Sequence, residues 1–347
     1  MFPNRPISEF RKARACRTLC SLVLIFISTP AASQVPRDNC GNPDSDISIA
    51  GCTKKIKLDT AILKSGWGNP NAAVAHLATD YDSRGVAYAN KGLYDQAIAD
   101  YNQAISLLPK TFPIAYFNRG LAYHNQELDD QAIVDYTTAI SLEPKGADPF
   151  ELADAYDYRG NAYEQKGLYD EAIADFTMAI SLNPGLESAY ANRGNDYSRK
   201  ALYDLAIADF SKVISLDSRD VASRYNRALA YQHKGLYDDS ITDLTREIAL
   251  APNFANAYDV RGLAFARKGL YDQAISDYTQ EIALNAKNIQ LHPGFASQSA
   301  NAYSHRGGAY ERKGVIDAAI ADYRAAVKLD PNMQSAKDAL ARLGAAP

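Results

Sequence analysis

The sequence is poor in the residues from which catalytic and metal sites are built. Its 347 residues include four cysteines and five histidines, and the histidines are scattered along the chain. It contains no glycine-rich phosphate-binding loop, no pair of histidines at the spacing of metal ligands and no Gly-x-Ser-x-Gly motif. These absences argue against an enzyme, and we expect no catalytic residue, no metal ion and no small-molecule cofactor.

The chain also lacks an excess of positive charge. Its formal net charge is -4, which argues against a general nucleic-acid binder, since such proteins carry a basic surface. After residue 33 no segment has the roughly 18 consecutive apolar residues typical of a membrane-spanning helix. We therefore expect neither a nucleic-acid partner nor a transmembrane span in the mature chain.

The first 33 residues have the layout of a secretory signal peptide. They hold five basic side chains and one acidic side chain, then an apolar run over residues 19–27 and small residues at Ala31 and Ser33. We expect cleavage before Gln34 and an exported protein, periplasmic or secreted, from a bacterium. The alternative is an uncleaved segment that anchors the chain in a membrane.

Two cysteines remain after this segment. Cys40 and Cys52 lie 12 residues apart in a chain that we expect to be exported, and an even pair in an oxidising compartment favours one disulfide. The alternative, a zinc site, is weak because two sulfurs without a nearby histidine do not complete a zinc ligand set.

What the chain has in abundance is repetition. The sequence GLYDQAIADYNQAISLLP at residues 92–109 returns as GLYDEAIADFTMAISLNP at residues 167–184. An arginine followed by a small residue marks each of seven repeats, and these small residues are Gly85, Gly120, Gly160, Gly194, Ala228, Gly262 and Gly307. A period near 34 residues predicts a stacked array rather than a single globular core.

Each repeat has the pattern of two helices joined by a short turn. In the first, Tyr81, Gly85 and Tyr88 have the spacing of one helical face, and Gly92 follows as a helix-ending glycine. A second helical pattern begins at Asp95 and ends before Pro109. The sequence therefore predicts an all-α protein of helix-turn-helix repeats.

The pattern resembles the tetratricopeptide repeat (TPR) family. The slots that carry the resemblance read Tyr81, Gly85, Tyr88, Ala97, Tyr101, Ala104 and Pro109 in the first repeat, and similar residues follow in the others. The resemblance implies an α-solenoid, a right-handed superhelix of about seven repeats over residues 78–333. We expect a divergent N-terminal segment at 34–77, which includes a degenerate unit, and a C-terminal capping helix and tail at 334–347.

Two charged slots recur in all seven repeats. An arginine precedes the small residue, and an aspartate precedes the aromatic slot of the second helix. The arginines are Arg84, Arg119, Arg159, Arg193, Arg227, Arg261 and Arg306, and the aspartates are Asp100, Asp135, Asp175, Asp209, Asp243, Asp277 and Asp322. We expect a ladder of Arg–Asp pairs, either within repeats or between neighbouring ones. The alternative is a positive stripe that binds anionic ligands.

The resemblance also implies a concave groove lined by first-helix side chains that vary between repeats. The candidate partner-binding residues are Ile114, Phe117, Leu121, His124, Asp154, Asp157, Glu164, Asn195, Arg199, Tyr225, Leu229, His233, Asp259, Leu263 and Arg267. The lysines and asparagines of the family's carboxylate clamp are absent. An apolar patch that includes Phe117 and Leu121, beside an acidic patch, suits a peptide with apolar and basic residues.

We interpret the protein as a non-enzymatic scaffold or adaptor that binds peptide segments. The alternatives are a structural or assembly subunit of a cell-envelope complex, for secretion or polysaccharide export, and a protein that binds small ligands or glycans. The insertions at 147–152 and 289–299 have two interpretations: they form loops that contact a partner, or they only lengthen helices. Glu247 and Glu281 replace alanine or valine at a repeat slot, and we expect this slot to be partly exposed.

Overall fold

The described chain is entirely helical. A computed structural model describes residues 39–66, 69–143, 148–289 and 295–346, and these residues form sixteen α-helices and no strand. They divide into two compact bodies, one ending at Pro184 and one beginning at Gly185. The predicted signal peptide at 1–33 lies outside the described residues.

Within its described residues the first body contains seven helices, and each packs against the next in the chain. They are α1 (Ser45–Ser65), α2 (Pro70–Asn90), α3 (Tyr94–Leu107), α4 (Pro113–Asn125), α5 (Asp129–Leu142), α6 (Pro149–Gln165) and α7 (Tyr169–Leu182). The pairs α2–α3, α4–α5 and α6–α7 are the first three predicted repeats.

The second body contains nine helices within its described residues, again packed in chain order. They are α8 (Glu187–Arg199), α9 (Tyr203–Leu216), α10 (Val221–His233), α11 (Tyr237–Leu250), α12 (Ala255–Arg267), α13 (Tyr271–Ile289), α14 (Phe295–Lys313), α15 (Ile316–Leu329) and α16 (Gln334–Arg342). The pairs from α8–α9 to α14–α15 are the last four repeats. The fold class is thus the all-α helical repeat array that the sequence predicts, and the hand of its superhelix stays a prediction.

A left-handed residue ends the first helix of each hairpin and turns the chain into the second helix. At the end of α2, Gly92 has φ 74° and donates its N–H to Ala89, while Leu93 donates to Tyr88. These two bonds form a Schellman motif, in which the missing Cβ of glycine removes the steric cost of the left-handed conformation.

Each hairpin is closed by a small residue of the first helix against a large side chain of the second. A Cβ added to Gly85 would lie 2.6 Å from the ring of Tyr101, a ring that is only 1% exposed. Gly160 stands in the same relation to Phe176, at 2.7 Å. The core is therefore a row of buried rings, each seated on the backbone of the facing helix.

The N-terminal helix α1 behaves as a degenerate second helix. Cys52 is fully buried at the slot that an aromatic ring fills in the repeats, and a disulfide joins it to Cys40 with a Cα–Cα distance of 4.5 Å. The helix α2 begins at Pro70, so the expected boundary at residue 78 falls inside a helix. Asn69 caps α2 with its side chain, and Pro70 suits the first helical position, where no N–H is needed.

The insertions lengthen first and second helices where the structure describes them. The helix α6 has 17 residues, and α13 and α14 have 19 each, against 13 for the first helix α4 and 14 for the second helix α3. Residue 147 of one insertion and residues 290–294 of the other lie outside the described residues.

The last helix covers the end of the array, in the place where we expect a cap. Ala336, Ala339 and Leu340 of α16 are buried against α15, and Arg342 pairs with Glu311 of α14 at 2.9 Å. The apolar face of the final repeat is thereby removed from water.

Two repeats depart from glycine at the left-handed turn, and this predicts a stabilising substitution. Ala201 has φ 58° and Glu127 has φ 61°. We expect Ala201→Gly to raise the free energy of unfolding by about 1 kcal/mol, because the Cβ clash of a left-handed alanine disappears. Thermal unfolding measures the change. Ala208→Gly, in the middle of α9, is the matched control and should lower stability by about the same amount.

Candidate protein-interaction surface

The recurring arginine is held inside its own repeat. Arg84 donates its Nε and Nη2 protons to the two carboxylate oxygens of Asp100, both at 2.7 Å. Its guanidinium lies between the rings of Tyr81 and Tyr88, 5.5 and 6.0 Å from their centroids. Hydrogen bonding to Asp100 raises the pKa of Arg84, so the guanidinium keeps its positive charge.

The same two-bond pair occurs in all seven repeats. In each case the aspartate follows its arginine by 16 residues, and the distances lie between 2.7 and 2.9 Å. The pairs therefore lie within repeats and not between neighbouring ones. The arginine side chains are 15–19% exposed, and their planar faces are covered by rings, so they do not form an open positive stripe.

The third donor of the arginine makes the link to the preceding repeat. Arg84 donates its Nη1 proton to Thr53 of α1 at 3.0 Å, and Arg119 donates to Asn102 of α3 at 2.5 Å. In the second body Arg227 donates to Ser211 at 2.8 Å. Each acceptor directly follows the aromatic slot of the previous second helix, and Thr53 after Cys52 fits this rule. This relation identifies α1 as the second helix of an incomplete repeat.

A second set of ion pairs joins neighbouring repeats at the edge where their hairpins turn. The lysine that follows a first helix pairs with the aspartate at the start of the preceding second helix. The pairs are Lys91–Asp46, Lys166–Asp130, Lys234–Asp204, Lys268–Asp238 and Lys313–Asp272. The sequence analysis missed this set, although the lysine recurs in six of the seven repeats and Gln126 takes its place in the second. These pairs are exposed and each contributes little stability.

Phe117 and Leu121 do not form the open apolar patch that the sequence suggested. Both are only 8% exposed and pack in the core of the first body. The Phe117 ring lies 5.7 Å from Tyr136 and 5.5 Å from Tyr158, centroid to centroid. Large side chains at these first-helix positions fill the space between neighbouring repeats, so their replacement by polar residues would damage the fold and not only partner binding.

The other candidate residues of the first body differ in accessibility. Ile114 is half-buried against the same core, and Asp157 is 6% exposed. His124 is half-buried and bonded through Nδ1 to Asp129 at 2.6 Å. Among them only Asp154 is exposed, while Glu164 is half-buried. The acidic part of the surface is thus smaller than the sequence suggested.

The second body exposes more of its candidate residues. Arg199, His233 and Arg267 are exposed at the ends of α8, α10 and α12, while Leu229 and Leu263 are half-buried one turn earlier. Because residues four apart share a helical face, these side chains lie on one surface.

The remaining candidate residues of this body, Asn195, Asp259 and Tyr225, each contact a side chain of the next repeat. Asn195 accepts a hydrogen bond from Asn226 at 2.9 Å, and Asp259 is bonded to His305 at 2.8 Å. Tyr225 is half-buried, with its ring 5.2 Å from that of Phe254. The two hydrogen bonds run between neighbouring first helices and hold them side by side.

Glu247 and Glu281 are buried, and the expectation of partial exposure is wrong. Glu247 is fully buried and Glu281 is 3% exposed. Their slot faces the interior in every repeat, and a longer side chain at this position has no route to solvent. Burial raises the pKa of Glu247 to about 8, although the positive charge of the nearby Arg224 acts to lower it. Burial also raises the pKa of Glu281.

The described residues contain neither a cluster of metal ligands nor a helix that could span a membrane. No group of three or more histidine, cysteine, aspartate or glutamate side chains there is placed to hold a metal ion. In the same part of the chain, every helix is too short or too polar to cross a membrane.

Models of known repeat families match most of the chain. A model described as TPR repeat matches residues 85–127, and one described as tetratricopeptide repeat matches 113–145 and 153–186. A further tetratricopeptide repeat model matches 192–255, 234–292 and 260–333. The chain belongs to the TPR family. TPR proteins bind protein partners, and the fold is typical of non-enzymatic scaffolds.

Solved structures of other TPR proteins share the fold. The C-terminal part of a TPR repeat-containing protein from Cytophaga hutchinsonii has a TM-score of 0.62 at 21% identity, over 74% of this chain and 98% of that chain. A tetratricopeptide repeat protein from Parabacteroides merdae has 0.50 at 20% identity, over 77% and 98%. YrrB, described as a TPR protein with an unusual peptide-binding site, has 0.48 at 22%, over 59% and 96%. Comparison with curated protein sequences gave no match.

The buried glutamates predict that the second body is less stable in alkaline solution. Glu247 has its ordinary pKa of 4.5 when unfolded and about 8 when folded, so folding favours the protonated carboxyl. This contribution is complete below about pH 4.5 and is lost as the pH rises through 8. We expect the free energy of unfolding to fall by about 2 kcal/mol between pH 5 and pH 9.

The prediction is tested by denaturant unfolding of a variant pair across this pH range. Glu247→Gln should reduce the pH dependence, to which Glu281 still contributes, whereas Asp239→Asn, which removes an exposed acid from the same helix, should leave it unchanged. A Glu247→Gln variant with the full pH dependence of the parent chain would contradict the assignment.

Proposed function

We propose that this TPR protein is a non-enzymatic adaptor that holds segments of partner proteins against the exposed face of its first helices. The observation that carries the proposal is the contrast between recurring and variable side chains. The recurring arginines, aspartates and rings are paired or buried, so they supply the scaffold. On the first helices, exposed side chains such as Asn125, Arg199 and Arg267 distinguish one repeat from another.

The outer face of the second helices carries a mixed set of exposed side chains. Isolated apolar residues such as Val134, Met178 and Leu205 lie among acids and amides, and several hydroxyls bond to their own helix. Thr138 donates to the carbonyl of Val134 at 2.9 Å, and Thr242 donates to that of Asp238 at 2.9 Å. A hydroxyl bonded to its own backbone is a weak recognition group, because a partner must replace an existing bond. The first-helix face, with its arginines, amides and leucines, is therefore the better candidate.

We also propose that the adaptor works outside the cytoplasm. The support is the basic, apolar and small-residue layout of residues 1–33 together with the disulfide between Cys40 and Cys52, a bond that persists in oxidising compartments. The N-terminal sequence of the protein recovered from cells tests this point. A chain that starts at Gln34 fits export, whereas one that retains Met1 and stays in the cytoplasm contradicts it.

Site-specific photocrosslinking tests the adaptor function. A photoreactive amino acid is placed at Asn195, on the first-helix face, and at the exposed Thr242 on a second helix as the control. We expect mass spectrometry to find crosslinked segments of partner proteins at Asn195 and none at Thr242. Equal crosslinking at both positions within one fixed complex would favour an assembly subunit. Absence of crosslinks at Asn195 would contradict the proposal.

A further inference from the structure

The first helices of the two bodies end in different side chains. In the second body the last turn of each first helix carries a basic residue, and we call Arg199, His233, Arg267 and Arg312 the basic row. In the first body the equivalent positions carry the neutral amides Asn90, Asn125 and Gln165. All seven side chains are exposed. The scaffold is the same in both bodies, so this difference is a property of the surface alone.

The basic row is a continuous feature because neighbouring first helices touch. The helix pairs α8–α10, α10–α12 and α12–α14 are in contact. Gln232, next to the end of α10, donates to the carbonyl of Val260 near the middle of α12 at 2.6 Å and holds the two helices side by side. Neighbouring members of the row are thus about 10 Å apart, the spacing of packed helices.

Helix capping alone does not explain the basic row. A basic side chain at the C-terminal end of a helix is favoured by the helix dipole, by about 0.5 kcal/mol at an exposed site. The amides at the equivalent positions of the first body show that this fold forms without that contribution. Moreover, a lysine already follows each of these helices in the second body.

The charges around the basic row leave it positive. The neighbouring lysines Lys234, Lys268 and Lys313 are neutralised by aspartates of the preceding repeats. The acids on the same face are engaged as well, since Asp259 is bonded to His305 and Glu311 is paired with Arg342.

All three arginines of the row are exposed to solvent. Arg199 is paired with the buried Asp196 at 2.9 Å and remains 46% exposed. Within the described residues, neither Arg267 nor Arg312 forms an ion pair.

Apolar contacts lie beside the charges. Leu229 and Leu263 precede His233 and Arg267 by four residues and are half-buried on the same helical faces. A ligand that reaches the arginines therefore also crosses two leucines. This combination suits a polypeptide with acidic and apolar side chains better than a polysaccharide, which would supply acid groups without aliphatic side chains.

We propose that the basic row is the docking site for an extended, acidic segment of a partner protein. This inference rests on the proposed adaptor function and names the chemistry of its partner. A spacing of about 10 Å corresponds to about one turn of a polyproline II helix, an extended conformation with three residues per turn, so acidic side chains at every third position would share one side and meet successive members of the row. Apolar side chains between them would contact Leu229 and Leu263.

Fluorescence anisotropy of the full chain tests this proposal. The probe is a labelled peptide of about twelve residues with glutamate at every third position and leucine and glycine between. The comparison peptides carry glutamine or lysine in place of glutamate. We expect the glutamate peptide to bind most tightly, with an affinity that falls as salt is added.

Matched variants locate the binding. Arg267→Gln and Arg312→Gln should each weaken binding of the glutamate peptide about threefold, and together about tenfold. Arg246→Gln removes an exposed arginine from the second helix α11 and should change the affinity less than twofold. Replacing Arg267 and Arg312 with glutamate should reverse the preference toward the lysine peptide. Equal melting temperatures of all variants exclude unfolding as the cause.

Each other outcome overturns the inference in a distinguishable way. If the glutamate peptide does not bind but partner segments still crosslink at Asn195, the acidic partner is wrong and the adaptor function stands. If neither occurs, both proposals fail. If polygalacturonate binds through Arg267 and Arg312 while the peptide does not, the site takes a polysaccharide. If light scattering shows self-association that the arginine variants abolish, the occupant is a second copy.

Discussion

Close approach of backbone to ring is the constraint on which this fold depends. In six repeats the first helix presents glycine to an aromatic ring, at distances that no side chain could share. The fifth repeat carries Ala228 instead, and there the facing residue is the smaller Leu244, which is fully buried. The two substitutions compensate in volume, as close-packed interiors require. The distance between the two helices is therefore set by the combined volume of the two facing side chains and not by either one alone.

That constraint also explains the recurring arginine. Once the hairpin is closed, the residue before the small one lies opposite the aspartate before the ring. Arg261 and Asp277 meet in this way with two bonds of 2.8 Å, and Arg306 and Asp322 repeat the geometry in the last repeat. The planar guanidinium suits both the carboxylate and the flanking tyrosine faces, which a lysine would not match. Tyrosine abundance in this chain thus reflects the scaffold.

The sequence predicted the hairpins because its signals are local. The 34-residue period, the turn glycines and the helical spacing of Tyr81 and Tyr88 each act within a few residues. It predicted less well what depends on packing between repeats. Phe117 and Glu247 occupy slots whose accessibility is decided by the next repeat, and their burial was not foreseen. The early start of α2 at Pro70 was missed because this part of the helix lies before the repeating pattern.

The surface was foreseen only in part for a related reason. Side chains such as Arg199 and His233 were recognised as variable, but the net charge of the surface around them depends on which neighbouring charges are already paired. Asp259 and His305 lie 46 residues apart in the chain and satisfy each other, a relation that no local pattern reveals. The net charge of -4 likewise conceals a surface that is locally positive.

The bonds of each arginine have a consequence for the way in which the array comes apart. Within a body, the hydrogen bonds of Arg84, Arg119 and Arg159 each span two consecutive hairpins, so no hairpin is fully bonded when its predecessor is missing. When the first helices of a body unfold, the arginine of the next hairpin loses its acceptor. Unfolding of that hairpin then becomes easier. At the beginning of the chain Thr53 supplies the first acceptor, and the disulfide at Cys52 ties down the helix that carries it. Because Cys40 and Cys52 both precede α2, this covalent bond restrains α1 itself, and α1 is held to the first hairpin by its packing against α2 and by the bond from Arg84 to Thr53.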